Sequence, residues 1–409
     1  MATQPSTHSE PSFAPDSFDR AAFKARIRTE LPAIAARAAQ AEEEREVSVA
    51  TMDALREAGF FRVVQPAEFG GYEQGFDLLA EMTQELAAVC ASTGWVCGLL
   101  AAHQWLLASF PIAAQHDVWD ADPEALLCGS YAPAALAEPD GEGYRLTGRW
   151  SFASGCDRSS WSVCAAMIPQ QEGTPPRPGF LLVPETDYVI DDDWQVIGLA
   201  GTGSKTLVLD NVFVPGHRVL MFEATTSGDT PGAAHHSHNP TFRVPMLSNI
   251  ASCLASTAIG AAAGALDDYV AAVGNRTTRG AVAGGAAKMA EFPTIQIRVA
   301  EATAAVDAAR EIVLRDLRRR NAVSRTGRLA TVEERIESRR GQAFAVKLAL
   351  SATEALNAST GGQGLALANP VQRAWRDVNA VARHISFNWD AVGSMVGQLS
   401  LGLEPKGQY

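Results

Sequence analysis

Thr206-Leu-Val-Leu-Asp-Asn-Val-Phe-Val214 decides how the rest of the chain is read. Its β-branched and aromatic residues alternate with polar ones, the pattern of a half-buried strand. The residues before it, 198–206, run G-x-x-x-x-G-S-K-T and stand one serine, Ser204, away from a phosphate-binding loop. Such a loop must open a helix so that backbone N–H groups converge on phosphate. A strand in that place excludes it. Outward from this strand lie Tyr144-Arg-Leu-Thr147, Trp161-Ser-Val-Cys-Ala-Ala-Met167 and Gly179-Phe-Leu-Leu-Val183, separated by Gly, Pro and Asp clusters. That punctuation belongs to antiparallel strands rather than βαβ units. A β-domain is therefore expected over 124–220.

Both flanks read as helical. On the N-terminal side, 18–123, apolar residues recur at three- and four-residue spacing over 23–42, 47–58, 76–90 and 93–109, with a break at Phe69-Gly-Gly-Tyr72. On the C-terminal side, long helices are expected at 246–273, 292–318, 332–360 and 372–401, forming a four-helix bundle over 244–409. The loops 225–239 and 274–286 are long enough to be lids or binding segments, the first lying within a connection over 221–243. Residues 250–266 carry no charge, but Ala, Gly, Ser and Thr dominate them and they fall short of the ~20 residues of a membrane span. They predict a helix at the centre of the bundle.

The chain has 409 residues, 47% hydrophobic and 20% charged, enough to build a large core. Its 34 basic and 46 acidic residues leave a net charge of −12, which argues against nucleic acid or an anionic membrane as partner. Six cysteines without a C-x-x-C pair read as buried free thiols in a reducing cytoplasm. Residues 1–17, rich in Pro, Ser and Thr, predict a disordered tail without the features of a signal peptide. His235-His-Ser-His238 has metal-ligand chemistry but no Cys, Asp or Glu set beside it in sequence, so no metal is expected. Gly362-Gln-Gly364 follows no strand and is not a nicotinamide-dinucleotide fingerprint.

The order helices, β-domain, bundle resembles the acyl-CoA dehydrogenase fold, an α+β and mostly helical class. More narrowly it is similar to the oxygenase components of two-component flavin-dependent monooxygenases, such as the 4-hydroxyphenylacetate and secosteroid-phenol hydroxylases. The likeness rests on Gly148-Arg-Trp-Ser-Phe-Ala-Ser-Gly-Cys-Asp157, Gly198-Leu-Ala-Gly-Thr-Gly-Ser204 following Trp194, Val212-Phe-Val-Pro215, and Gln372-Arg-Ala-Trp-Arg-Asp377 followed by His384. It implies that Ser154 lies beside flavin N5, with Trp150 and Phe152 near the ring, and that Ser130 lines the substrate pocket. The alternative for either serine is a turn at a strand end. Gly361, Gly362 and Gly364, with Arg276 or Arg279, would hold the nucleotide end of the flavin. A helix-to-helix turn and a solvated arginine pair are the alternatives.

His103 matches a histidine near the flavin in the resembling hydroxylases, or else is a core histidine. His384 would contact the phenol, with Asn388 and Trp105 completing the pocket; the alternative for His384 is a core histidine bonded within the bundle. Asp377, Ala380, Val381, His384, Phe387, Asn388 and Ala391 then share one stripe of one helix. The resemblance implies FMNH2 or FADH2 from a separate reductase, O2, and a C4a-hydroperoxyflavin that hydroxylates a small aromatic substrate. His384 would act as base and Ser154, with His103, would steady the flavin. A homotetramer, a dimer of dimers, is implied, and the small, uncharged residues of 250–266 are read as a sign of the same assembly. The competing readings are a same-fold N- or S-oxygenase, an acyl-CoA dehydrogenase, and a non-enzymatic scaffold. The dehydrogenase would need a glutamate that His384-Ile-Ser-Phe-Asn-Trp-Asp390 lacks.

Overall fold

The computed structural model describes residues 18–171, 173–274, 276–277 and 287–409; the tail 1–17 and Arg279 lie outside the described residues. The N-terminal part comprises α1 (Arg20–Glu44), α2 (Val49–Glu57), α3 (Phe76–Val89), α4 (Ala91–Leu107) and α5 (Ile112–Trp119). Asp19 starts α1 by accepting from the Ala21 and Ala22 N–H groups, and Ser48 starts α2 in the same way from Thr51. Helix α4 is buried along its whole length, which explains why its sequence is apolar all round.

Eight strands follow: β1 (Leu127–Ser130), β2 (Glu138–Asp140), β3 (Gly143–Ala153), β4 (Trp161–Ile168), β5 (Arg177–Pro184), β6 (Val189–Asp191), β7 (Lys205–Pro215) and β8 (Val219–Met221). They form two sheets, ordered β1-β4-β5-β8 and β2-β3-β7-β6. The expectation of purely antiparallel pairing needs one correction, because β1 and β4 run parallel. Between them the chain leaves the first sheet, makes the β2–β3 hairpin of the second, and returns. The Leu-Cys-Gly-Ser run of β1 is buried on both faces, so it has no alternation to announce it.

The 221–243 connection is more ordered than a loop, holding α6 (Phe222–Ser227), α7 (Pro231–His235) and a 3-10 turn, Pro240–Arg243. The bundle comprises α8 (Met246–Gly274), α9 (Pro293–Ser324), α10 (Val332–Ala358), α11 (Pro370–Ala382) and α12 (Trp389–Ser400). Helix α8 is the central one and packs against α3, α4, α9, α10 and α11. A Cβ at Gly264 would collide with the Ala88 carbonyl, so α3 and α8 meet backbone to backbone. Packing within one chain therefore accounts for the small, uncharged residues of 250–266, which lose their force as a sign of assembly.

The last expected helix, 372–401, is in fact two. Helix α11 stops at Ala382, a 3-10 turn spans Ile385–Phe387, and α12 starts at Trp389. Two polar side chains make the break: His384 Nδ1 accepts from the Ser386 N–H, and Asn388 caps α12 by accepting from Ala391. The single stripe carrying His384 and Asn388 does not exist.

Candidate active site

The Arg-Asp pair at 376–377 fastens the three parts of the chain together. Arg376 donates to the Ile197 carbonyl at 2.7 Å and pairs with Glu42 of α1. Asp377 accepts the Leu199 N–H at 2.6 Å. Gly198 must be glycine, because a Cβ there would strike the Arg376 carbonyl. Burial raises the Asp377 carboxyl to about 6, against the pull of the Leu199 N–H and Arg376. The folded chain thus holds this proton more tightly than the unfolded chain, where the carboxyl titrates near 4. The stability it contributes is full below about pH 4 and is lost as pH rises through about 6. Asp377→Asn keeps an acceptor for Leu199 and removes the titration. Denaturant unfolding at pH 5 and pH 7.5 should show a smaller loss of stability with pH in the variant; equal losses would refute the assignment.

From Leu199 a chain of buried hydroxyls runs to the end of β3. Trp95 Nε1 meets Ser154 Oγ at 3.0 Å, Ser154 meets Ser204 at 2.7 Å, Ser204 meets Thr202 at 2.6 Å, and Thr202 meets the Leu199 carbonyl at 2.8 Å. An indole N–H only donates and a carbonyl only accepts. The proton order is therefore fixed in one direction: Trp95 to Ser154 to Ser204 to Thr202 to Leu199. Ser154 keeps a spare lone pair and has no spare proton.

His384 lies on the other side of Trp95, its ring 5.7 Å from the indole at 68°. Its Nδ1 accepts the Ser386 N–H at 3.2 Å, so the neutral ring carries its proton on Nε2. Burial, and then the charge of Arg339, lowers its pKa to about 4. Arg339 donates to Gln342 Oε1 and to the Ser386 carbonyl, each at 2.9 Å. Among the described residues no carboxylate stands within ion-pair distance of it, and burial lowers its pKa to about 10. A cation without a counter-anion therefore faces the His384 turn. Neither Trp95 nor Arg339 was singled out by the sequence: one is an aromatic in an apolar helix, the other one arginine among many.

The remaining expected residues fall into two groups. Ser130 donates to the Ser151 carbonyl at 2.7 Å. His103 is wholly buried, donating from Nδ1 to the Leu127 carbonyl and accepting at Nε2 from the Tyr131 hydroxyl, each at 2.6 Å. Burial lowers its pKa to about 4. Trp150 is also fully buried and donates to the Ala165 carbonyl, so it supports the β-domain core and presents no face to a cofactor. Trp105 is buried, tied to the Thr241 carbonyl. Asn388 is exposed, its carbonyl occupied by the α12 cap.

Phe152, in contrast, is 70% exposed against Trp194, and Ile197 and Ile385 are 76% and 75% exposed. These apolar side chains belong to the segments carrying Ser154, Leu199 and His384. Arg276 donates to the Thr360 carbonyl at 2.7 Å and its guanidinium reaches Gly361, so two parts of the expected nucleotide site meet. Gly361, Gly362 and Gly364 form a 3-10 turn, Gly361–Leu365, separated from α11 and its Asn369 cap rather than opening that helix. A polar cleft of about 600 Å³ lined by Arg20, Gln74, Asp77, His238, Thr241 and Arg318 includes none of the expected site residues.

An apolar rim, a hydroxyl with a lone pair to offer and a cationic turn suit a flavin and an electron-rich ring. Residues 20–119 match the acyl-CoA dehydrogenase N-terminal domain family, and 252–389 match the acyl-CoA dehydrogenase C-terminal domain family. The fold is thus that of the acyl-CoA dehydrogenases. The chain is 61% identical over 376 residues to the FADH(2)-dependent resorcinol hydroxylase, oxygenase component, of Rhizobium sp. (strain MTP-10005), covering 91% of this chain and 92% of that protein. The crystal structure of 3-HSA hydroxylase from Rhodococcus sp. RHA1 superposes with a TM-score of 0.89 at 35% identity, over 95% of this chain and 100% of that one. XiaF from Streptomyces sp., in complex with FADH2 and glycerol, gives 0.85 at 28% identity, over 95% and 97%. This chain belongs to the family of oxygenase components of reduced-flavin-dependent aromatic hydroxylases. The enzyme uses reduced flavin and O2, and its relatives favour aromatic hydroxylation over the N- or S-oxygenase and dehydrogenase readings.

Proposed function

We propose that the enzyme hydroxylates small phenols of the resorcinol type with FADH2 delivered by a separate reductase. The observation that carries the phenol is the His384 turn beside the unpaired Arg339. The 61% identity to a resorcinol hydroxylase supports the substrate class and the FAD form. Bound reduced flavin supplies two electrons to O2, so that one oxygen atom reaches the ring and the other leaves as water.

The chain's own residues divide the remaining work. Arg276 and the Gly361 turn bind the nucleotide end, while Phe152 and Trp194 shield the apolar ring from water. Ser154 Oγ accepts the N–H that reduced flavin presents at N5, which the oxidised form lacks. His384 Nε2–H donates to the phenolic oxygen, and the Arg339 charge favours its ionised form. This replaces the expected base with a donor, since the ring lone pair is already occupied by Ser386. The phenolate is the more electron-rich ring and takes oxygen at an ortho carbon. His103 supports β1 directly, donating to the Leu127 carbonyl while the Tyr131 hydroxyl donates to its other ring nitrogen.

Supplying reduced FAD, O2 and a panel of phenols should give an ortho-hydroxylated product from resorcinol with one labelled atom from ¹⁸O2. Hydrogen peroxide alone across the panel would overturn the substrate class. Assembly as a homotetramer is part of the same reading, supported by the exposed apolar side chains of Leu365, Leu367, Ile385, Leu401 and Leu403. Sedimentation of a stable monomer at micromolar concentration would rule it out.

A further inference from the structure

The histidines at 235–238 are not isolated from carboxylates once the chain folds. His235 Nε2 lies 2.8 Å from Glu68 Oε2, and His238 Nε2 lies 3.0 Å from Glu73 Oε1. Glu68 sits on a 3-10 turn, Ala67–Phe69, and His235 ends α7, so residues distant in sequence meet at one point.

His236 is the informative member. It is 1% exposed, and its Nε2 lies 2.8 Å from Gln115 Oε1. Both amide hydrogens of Gln115 are committed, to the Ala108 carbonyl at 3.1 Å and the Phe110 carbonyl at 2.9 Å. A flipped amide would set its oxygen against two other oxygens, so Gln115 Oε1 must face His236. The His236 proton is therefore on Nε2, and Nδ1 is left with a bare lone pair. Glu68 Oε2 lies 3.9 Å from that nitrogen. Two acceptors stand across that gap, one of them on a fixed and buried ring, and a cation between them would satisfy both.

We infer that Glu68, His235 and His236 form a binding site for a zinc-class divalent cation. Two neutral imidazoles and one carboxylate, with a fourth position open to water, are a donor set suited to Zn²⁺. The three ligand atoms already lie within 4.8 Å of one another. A tetrahedral site with bonds of about 2.1 Å places its ligands about 3.4 Å apart. The half-exposed Glu68 and His235 side chains can make that adjustment. Gln115 plays the outer role that orients a ligating imidazole and selects its free nitrogen. The cation would clamp the end of α7 to the 67–69 turn and so hold the Pro231–Arg243 segment, whose Thr241 carbonyl receives the Trp105 N–H.

The test uses the full chain, freed of metal by a chelator and titrated with Co²⁺ and Zn²⁺. One saturable Co²⁺ per chain, with visible absorption of tetrahedral type displaced by Zn²⁺, is expected. Glu68→Gln and His235→Ala, both at half-exposed positions, should each weaken binding by more than about tenfold. Zn²⁺ should raise the melting temperature of the wild type and not of His236→Ala. If the wild type takes up no stoichiometric metal, or binding survives both surface variants unchanged, the site is a hydrogen-bonded cluster and the inference is wrong.

Discussion

His384→Ala is expected to lower product formation by roughly 10²–10³-fold, the usual cost of deleting one preorganised donor to developing charge. Oxygen uptake should continue, with hydrogen peroxide replacing the hydroxylated phenol, because Ser154 and the hydroxyl chain are untouched. The geometry separates a donor from a base. His384→Gln retains an N–H and should recover part of the coupling if the residue donates; a base role predicts no recovery. Arg339→Met extends the argument. Removing an unpaired buried cation should raise the pKa of the bound phenol and move the acid limb of the pH–rate profile to higher pH. Product yield in the alanine variant equal to wild type would leave His384 a turn-capping residue and nothing more.

Ser204→Ala should change flavin recognition without touching the flavin. In the wild type the proton order along Trp95, Ser154, Ser204 and Thr202 makes Ser154 an acceptor, so reduced FAD should bind more tightly than oxidised FAD. Deleting the Ser204 hydroxyl frees the Ser154 proton, which can then be given to the bare N5 of the oxidised form. One hydrogen bond of about 1.4 kcal/mol corresponds to a tenfold change, so the reduced-to-oxidised affinity ratio should fall by about that factor. Ser154→Ala should instead weaken the reduced form and leave the oxidised form nearly unchanged. Anaerobic titration of both states settles the matter. If Ser154→Ala is silent, the serine does not face the flavin; if only Ser204→Ala is silent, the direction of the chain is wrong.

The strand at 206–214 was legible because alternation and the preceding glycines point one way, and the central helix because small uncharged residues have few other uses. The break after Ala382 was not legible. Val381, His384, Phe387, Asn388 and Ala391 keep helical spacing across it, and no Gly or Pro marks the stop. Its cause is two side-chain caps, and His384 and Asn388 carry that signal only weakly. Trp150 and Phe152 stand two apart on one strand, and sequence alone does not distinguish the ring that faces the core from the ring the bulge turns outward at φ 65°. Glu68 and His235 are 167 positions apart, so nothing local could have paired them.

The backbone contact of α3 with α8 constrains how this scaffold can diverge. Where two helices touch without intervening side chains there is nothing to trim or enlarge, and any added atom acts as a wedge between the N-terminal part and the bundle. The axle of the molecule is thus closed to gradual tinkering. Descendants that acquire new substrates must do so at the periphery, in the α6–α7 connection, the 194–204 loop and the His384 turn, while the helices carrying them stay nearly superimposable.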